Sequence, residues 1–231
     1  MKISIVVPCY NEINTIDKII NKLNYAFSKY DYEIIIIDDH SNDGSKEFLK
    51  KNYSNLKQYL LIFNNKNYGK GYSLSLGFQK ATGDIICIQD ADLEYDPHDL
   101  IPMIHLISED KADVVYGSRF RGNGPVRASL FFNRFANFVI TFLTNMFSNL
   151  SLTDIECCYK VFKKKDIDQF IIEEKRFGIE PELTIKLSKL KLRIFEIGIS
   201  YFGRSKQEGK KIGVKDGFRA IYCIFKYSIF R

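Results

Sequence analysis

The stretch ICIQDADLEYDP, residues 86–97, carries an apolar run straight into Asp90, Asp92, Glu94 and Asp96. Ile85 to Ile88 has the uninterrupted apolar character of a strand covered on both faces. Carboxylates packed this closely repel one another unless positive charge or solvent accommodates them. The stretch therefore reads as a buried strand that ends in a loop calling for a cation. Upstream the pattern recurs. Ile3 to Val7 halts at Pro8 in PCYNE, and Glu33 to Ile37 halts at Asp38-Asp39 in DDHSNDGS. Tyr59 to Phe63 leads into NNKNYGKGYS, read as a loop, and Asp113 to Gly117 supplies a fifth strand.

Helical spacing separates these strands. Ile16, Ile19, Ile20, Leu23 and Phe27 share one face behind Asn14, which is read as the cap. Ser45 to Leu49 opens a second helix, and Leu74 to Ala81 forms a third, closed by Thr82-Gly83. Alternating strand and helix predicts an α/β fold with a mainly parallel central sheet and helices on both faces. Ligands of such sheets sit beyond the carboxyl ends of the strands, and the polar clusters fall there.

A chain of 231 residues with 45% hydrophobic and 27% charged content can bury a substantial core. The cysteines, Cys9, Cys87, Cys157, Cys158 and Cys223, form no CxxC pair. That argues for a reducing compartment and against a zinc ribbon or disulfide framework. Ile3 to Val7 is too short for a signal peptide. Residues 128–149 are long and aromatic, but Asn133, Arg134 and Asn137 interrupt them. They read as an amphipathic helix rather than a membrane span, with a core position the stronger expectation. Residues 201–231 hold eight basic residues against Glu208 and Asp216, a net +6 that equals the charge of the whole chain. Such a tail suits phosphate-rich ligands, an anionic membrane surface or nucleic acid.

Asp90 and Asp92, two apart on an extended segment, face the same way. That arrangement suits a hard divalent cation, Mg²⁺ or Mn²⁺, bound with a phosphorylated ligand. A lone DxD recurs by chance as a solvated loop, but Asp38-Asp39 at the same sheet edge weighs against that reading. A phosphoacceptor signalling domain would leave PCYNE, NYGKGYS and the basic tail without a role. Gly69-Lys70-Gly71 lacks P-loop spacing, and no GxGxxG follows the first strand.

The ordered segments VVPCYNE, EIIIIDDHSNDGS, NYGKGYSLSLGFQKATGDIICIQDADLEYDP and DVVYGSRF resemble family-two glycosyltransferases of the GT-A fold. LTDIECCYKVFKK and EIGISYFGRSKQEGKKIGVKDG narrow the resemblance to soluble bacterial members of the dolichyl-phosphate mannose synthase branch. The resemblance spans almost the whole chain. It implies one catalytic domain over 1–231: a nucleotide-sugar-binding half (1–120), an acceptor-binding half (121–200), and a basic lid with a C-terminal amphipathic helix (201–231). Pro8, Tyr10, Glu12, Ile37 and Asp39 would line the nucleoside pocket. Asp90, Ala91 and Asp92 would form the metal-and-diphosphate motif, with Glu94, where the family often has Gln, as a further metal ligand. Arg204 and Lys210 would close over the diphosphate.

The implied reaction is inverting transfer of a sugar from GDP-mannose or a UDP-hexose to a polyprenyl or dolichyl phosphate, with Mg²⁺ or Mn²⁺. Arg119 and Arg127 flank a glycine-rich turn before the aromatic helix, which begins near Ser129. They pair guanidinium groups for a phosphate with an apolar surface for isoprene. Asp154, with Glu156 behind it, is the candidate base for a saccharide hydroxyl acceptor, although orienting the acceptor or metal shell is its stronger reading. Transfer to a saccharide in glycan biosynthesis is the alternative. A non-catalytic nucleotide-binding protein is the remote one, opposed by the intact DAD motif and the Arg204/Lys210 pair. The expected location is cytoplasmic and peripheral on the cytoplasmic membrane face. VKDGFRAIYCIFKYSIFR would contact anionic lipid, and no nucleic acid partner is expected.

Overall fold

A computed structural model describes residues 1–231 apart from 123, 129, 205–212, 230 and 231. Among the described residues seven strands form one sheet: β1 (Ile3–Cys9), β2 (Tyr32–Asp38), β3 (Tyr59–Phe63), β4 (Ile85–Ile88), β5 (Val114–Ser118), β6 (Lys160–Lys163) and β7 (Ile194–Gly198). Their order is β3-β2-β1-β4-β6-β5-β7. β6 runs antiparallel to both neighbours, and the other pairs are parallel. The helices are α1 (Ile16–Ala26), α2 (Ser45–Tyr53), α3 (Lys70–Lys80), α4 (Leu100–Ser108), α5 (Phe131–Ser148), α6 (Lys164–Ile167), α7 (Ile179–Ser188) and α8 (Val214–Ile229).

Ile34, Ile35, Ile36 and Ile37 are all buried although they alternate across the sheet, so both faces of β2 are covered. α1 buries Ile16, Ile19, Ile20 and Leu23 as the spacing predicts. Its cap differs from expectation. Thr15, not Asn14, holds the N-cap position without a side-chain cap, and the Thr15 and Ile16 N–H groups donate to the Glu12 carbonyl.

α3 begins at Lys70, inside the stretch read as a loop. Gly69 has φ +103°, and a Cβ there would strike the Lys175 carbonyl oxygen. A Cβ on Gly71 would strike the Glu174 carbonyl oxygen. The two glycines thus let the helix start hard against residues 174–176, a close approach that only glycine permits.

α5 overturns the core-helix expectation. Ile140, Thr141 and Thr144 are buried, whereas Phe131, Phe132, Phe135, Phe138 and Phe142 are 75, 80, 56, 62 and 57% exposed. α8 packs through Ala220, Cys223, Ile224 and Tyr227 and leaves Phe218, Tyr222 and Ile229 outside. Phe147 of α5 meets Phe225 of α8 edge-on at 5.2 Å. Among the described residues no helix is long and apolar enough to cross a membrane. All five cysteines are free and buried.

Candidate active site

Beyond the carboxyl ends of β1, β2 and β4 the chain turns through non-glycine residues in the left-handed region: Asn11 (φ 52°), His40 (φ 66°) and Leu93 (φ 60°). Each such residue costs about 1–3 kcal/mol and persists where its surroundings over-determine it. Here they do. The Asn11 N–H donates to Ser41 Oγ at 2.9 Å, the Asn42 N–H to Asn11 Oδ1 at 2.9 Å, and the Glu94 N–H to Asp92 Oδ1 at 3.1 Å.

These loops enclose a cleft of about 360 Å³, in the range of small-molecule sites. Pro8, Tyr10, Glu12 and Asp39 line it, together with Asp90, Ala91, Asp92 and Glu94. Ile37 does not. Its side chain is fully buried against α3, where a Cβ on Gly77 would meet Ile37 Cδ1. Asp39 accepts hydrogen bonds from Asn64 Nδ2 (2.7 Å) and from the N–H groups of Tyr68 (2.9 Å) and Gly69 (2.7 Å), which fixes the approach to α3.

The positive charge that the acidic loop calls for comes from two side chains. Lys70 Nζ lies 2.9 Å from Asp90 and 3.7 Å from Glu180. Burial opposes protonation of Lys70, but the carboxylates of Asp90 and Glu180 outweigh it and hold the ammonium charged. Arg204 Nη2 lies 2.8 Å from Asp92 Oδ2, and its guanidinium reaches both Glu12 oxygens at 3.2 Å. Arg204 Nε is buried without a hydrogen-bond partner among the described residues. Burial, then the neighbouring charges of Asp90 and Glu94, push the Asp92 carboxyl up to about 7 in spite of Arg204. Negative charge is thus in excess at this loop, and an all-oxygen donor pair fits a hard divalent cation.

Glu94, expected as a metal ligand, accepts hydrogen bonds from the 201–204 segment. Its carboxylate accepts from the Tyr201 hydroxyl (3.1 Å) and the Arg204 N–H (2.6 Å), and its carbonyl from the Phe202 N–H (2.8 Å). It anchors the segment that carries Arg204. Among the described residues no group of three or more His, Cys, Asp or Glu is arranged to hold a metal ion. Lys210 lies outside the described residues.

Asp154 is fully buried behind the cleft wall. Arg119 donates to it through Nε and Nη2, both at 2.7 Å, and through its N–H at 3.0 Å, while Asn137 Nδ2 adds a bond of 3.1 Å. Burial disfavours its charge, but the Arg119 guanidinium prevails and holds the carboxyl below its usual range. A base for an acceptor hydroxyl must touch the cleft, and Asp154 does not. Arg119 lines the cleft, fixed by this pair. Glu156, which sequence reasoning put behind Asp154, also lines it. Glu156 Oε1 is shielded from solvent and has no hydrogen-bond partner among the described residues. Burial, then the charge of Glu180, push this carboxyl up to about 7. Arg127 is exposed; its Nη1 donates to the Gly203 carbonyl at 2.7 Å, so it braces the Arg204 segment instead of lining the cleft.

Lys70, Glu156, Arg176, Glu180 and Tyr201 are cleft residues that the sequence reading did not place there. Lys70 was recoverable, because NYGKG follows a strand at the ligand-binding edge.

Paired carboxylates at the carboxyl edge of a mostly parallel sheet, met by Lys70 and Arg204 with Arg119 also at the cleft, form a charged cleft on an α/β scaffold. The chain belongs to glycosyl transferase family 2, whose family model matches residues 4–170. It is 27% identical over 236 residues to a dolichol-phosphate mannosyltransferase of Pyrococcus furiosus, an alignment covering 99% of this chain and 65% of that protein. It is 28% identical over 215 residues to an undecaprenyl-phosphate 4-deoxy-4-formamido-L-arabinose transferase of Yersinia pestis, covering 89% and 62%. The chain thus spans less than two thirds of the length of these relatives. Among solved structures it resembles glucosyl-3-phosphoglycerate synthase from Mycobacterium tuberculosis in complex with Mn²⁺, UDP and phosphoglyceric acid. The TM-score is 0.76 at 15% identity, covering 99% of this chain and 78% of that one. S. aureus TarS in complex with UDP gives a TM-score of 0.64 at 19% identity, covering 98% and 65%. The fold is GT-A.

Proposed function

We propose that this chain is a metal-dependent, inverting glycosyltransferase that moves one sugar from a nucleotide-sugar onto a polyprenyl phosphate at a membrane surface. One observation carries the reading. Arg119, a cation at the cleft suited to a phosphate, is joined through Asp154 to Asn137 on α5, the helix with the exposed phenylalanine face. A cation for the headgroup and an apolar surface for the isoprene chain would then act as one unit. The names of the relatives, which act on dolichol and undecaprenyl phosphates, support the same acceptor class.

In this reading Pro8, Tyr10, Glu12 and Asp39 receive the nucleoside. Asp90 and Asp92 would hold Mg²⁺ or Mn²⁺, which supplies electrostatic stabilisation to the departing diphosphate. Arg204 exchanges its carboxylate partners for diphosphate oxygens, with the unused Nε as a further donor, and Lys210 joins it. As the anomeric carbon–oxygen bond breaks, its electron pair goes to the diphosphate, where Arg204 meets the developing charge. An acceptor phosphate oxygen forms the new bond from the opposite face. A phosphate monoester has a second pKa of about 6, so it arrives as an anion and needs no base. A saccharide hydroxyl would need one, and Asp154 is committed to Arg119.

The test supplies labelled GDP-mannose or UDP-glucose, Mn²⁺ and a short polyprenyl phosphate, followed by organic extraction. The expected product partitions into solvent and is released by mild acid. A water-soluble, acid-stable product overturns the lipid-phosphate acceptor.

A further inference from the structure

We infer that Glu156 is a specificity-determining residue that accepts a hydrogen bond from a hydroxyl of the transferred sugar. This rests on reading the cleft as a nucleotide-sugar site. The order of strands supplies the first argument. Asp39 follows β2, Tyr10 follows β1, Asp90 and Asp92 follow β4, Glu156 precedes β6, and Arg119 follows β5. Because β6 is antiparallel, its start lies at the same edge as the ends of its neighbours. The sheet order β2-β1-β4-β6-β5 therefore lays out nucleoside, diphosphate, Glu156 and acceptor cation in sequence. Between the diphosphate and the acceptor lies the sugar.

The second argument is the rigidity of the position. Lys160 Nζ is fully buried and donates to the carbonyls of Ile155 (3.0 Å) and Cys157 (2.6 Å), one on each side of Glu156. Glu196 accepts from the N–H groups of Thr153 (2.7 Å) and Asp154 (3.2 Å). A backbone held at four points presents one side chain to the cleft. The third argument is the unpaired oxygen. Asp90 has Lys70, Glu180 has Lys160 and Lys70, and Asp154 has Arg119. Glu156 Oε1 is shielded from solvent and has no donor among the described residues. A shielded acceptor without a donor is costly, so a ligand that brings one is favoured. A phosphate brings only like charge. A sugar O–H brings the missing donor.

Calorimetry on the full chain with Mn²⁺ tests this, using UDP, GDP, their sugar conjugates, and monodeoxy analogues of the tightest donor. Wild type is expected to bind one monodeoxy analogue about 10–100-fold more weakly than the parent, the range of a hydrogen bond to a charged group. Glu156→Ala should weaken the parent donor to the same degree and lose that discrimination, while free nucleoside diphosphate binds as in wild type. Glu156→Gln, which keeps the shape and a carbonyl acceptor, should fall between and provides the answer if the alanine variant does not fold. Unchanged discrimination in the variants overturns the inference, as does a parallel loss of free nucleoside diphosphate. A wild type that binds no nucleotide-sugar refutes the cleft reading itself, before any variant is made.

Discussion

Arg119 and Asp154 meet through two charge-assisted bonds of 2.7 Å, with Asp154 fully buried and Arg119 nearly so. Removing one partner of such a pair strands the other charge, typically at about 3–5 kcal/mol. Asp154→Asn should therefore cost roughly 3 kcal/mol in urea unfolding at pH 7. The Asp154 carboxyl is held below its usual range in the fold. Its contribution is complete above the unfolded pKa of about 4 and is lost as pH falls through the folded value. The wild-type advantage over Asp154→Asn should stay level from roughly pH 5 to 8 and shrink below about pH 4. An advantage that grows on acidification contradicts the pairing. Asp92 behaves oppositely. Its neighbours Asp90 and Glu94 repel its charge, so Asp92→Asn should nearly abolish turnover while the melting temperature stays close to wild type. Full turnover in EDTA would refute a metal role. The sequence showed that carboxylates crowd this edge but not where each one points. Asp154 and Glu156 sit two apart in an irregular loop with no period to assign inside and outside. Ile37, assigned to the pocket by the resemblance alone, belongs to a strand apolar on both faces and packs against α3.

Among the elements, α3 shows how a helix start hides in sequence. Glycine at 69, 71 and 77 resembles loop chemistry, yet Gly69 and Gly71 are there to admit the carbonyls of Lys175 and Glu174. That contact holds Lys70 beside Asp90 and sets Arg176 at the cleft. Gly71→Ala, although it raises helix propensity, should destabilise by about 1–3 kcal/mol through overpacking and raise the donor KM. Thermal unfolding and initial rates check both, and a stabilised variant would show that the approach is not tight. The parallel strands β1, β2 and β4 were legible as β-branched runs closed by polar residues. β6 was not, because KVFK is four residues long and begins with a buried lysine. Glu180, with the carbonyls of Ile155 and Cys157, makes Lys160 tolerable there.

The whole molecule places its candidate site along one sheet edge and an exposed aromatic surface on α5 and α8, which touch through Phe147 and Phe225. α5 carries Phe131, Phe132 and Phe135 outward, and α8 carries Phe218 and Tyr222. The tail 201–231 adds the net charge of +6. The two contributions respond differently to salt. Attraction of basic residues to anionic lipid is worth about 1 kcal/mol each near the surface and fades within a Debye length, about 8 Å at physiological salt and 3 Å at 1 M. Insertion of aromatic side chains is insensitive to ionic strength to first order. Flotation with anionic vesicles should therefore recover the protein at low salt, recover less at 1 M, and keep a residue that is also seen with neutral vesicles. Replacing Phe131, Phe132 and Phe135 together by serine should leave the melting temperature unchanged, because these side chains are already in water. The same replacement should remove the salt-resistant fraction and spare the salt-sensitive one. Recovery that is equal with and without the three phenylalanines at 1 M salt would mean that α5 does not meet the membrane, and no recovery at either salt would remove the membrane from the proposed reaction.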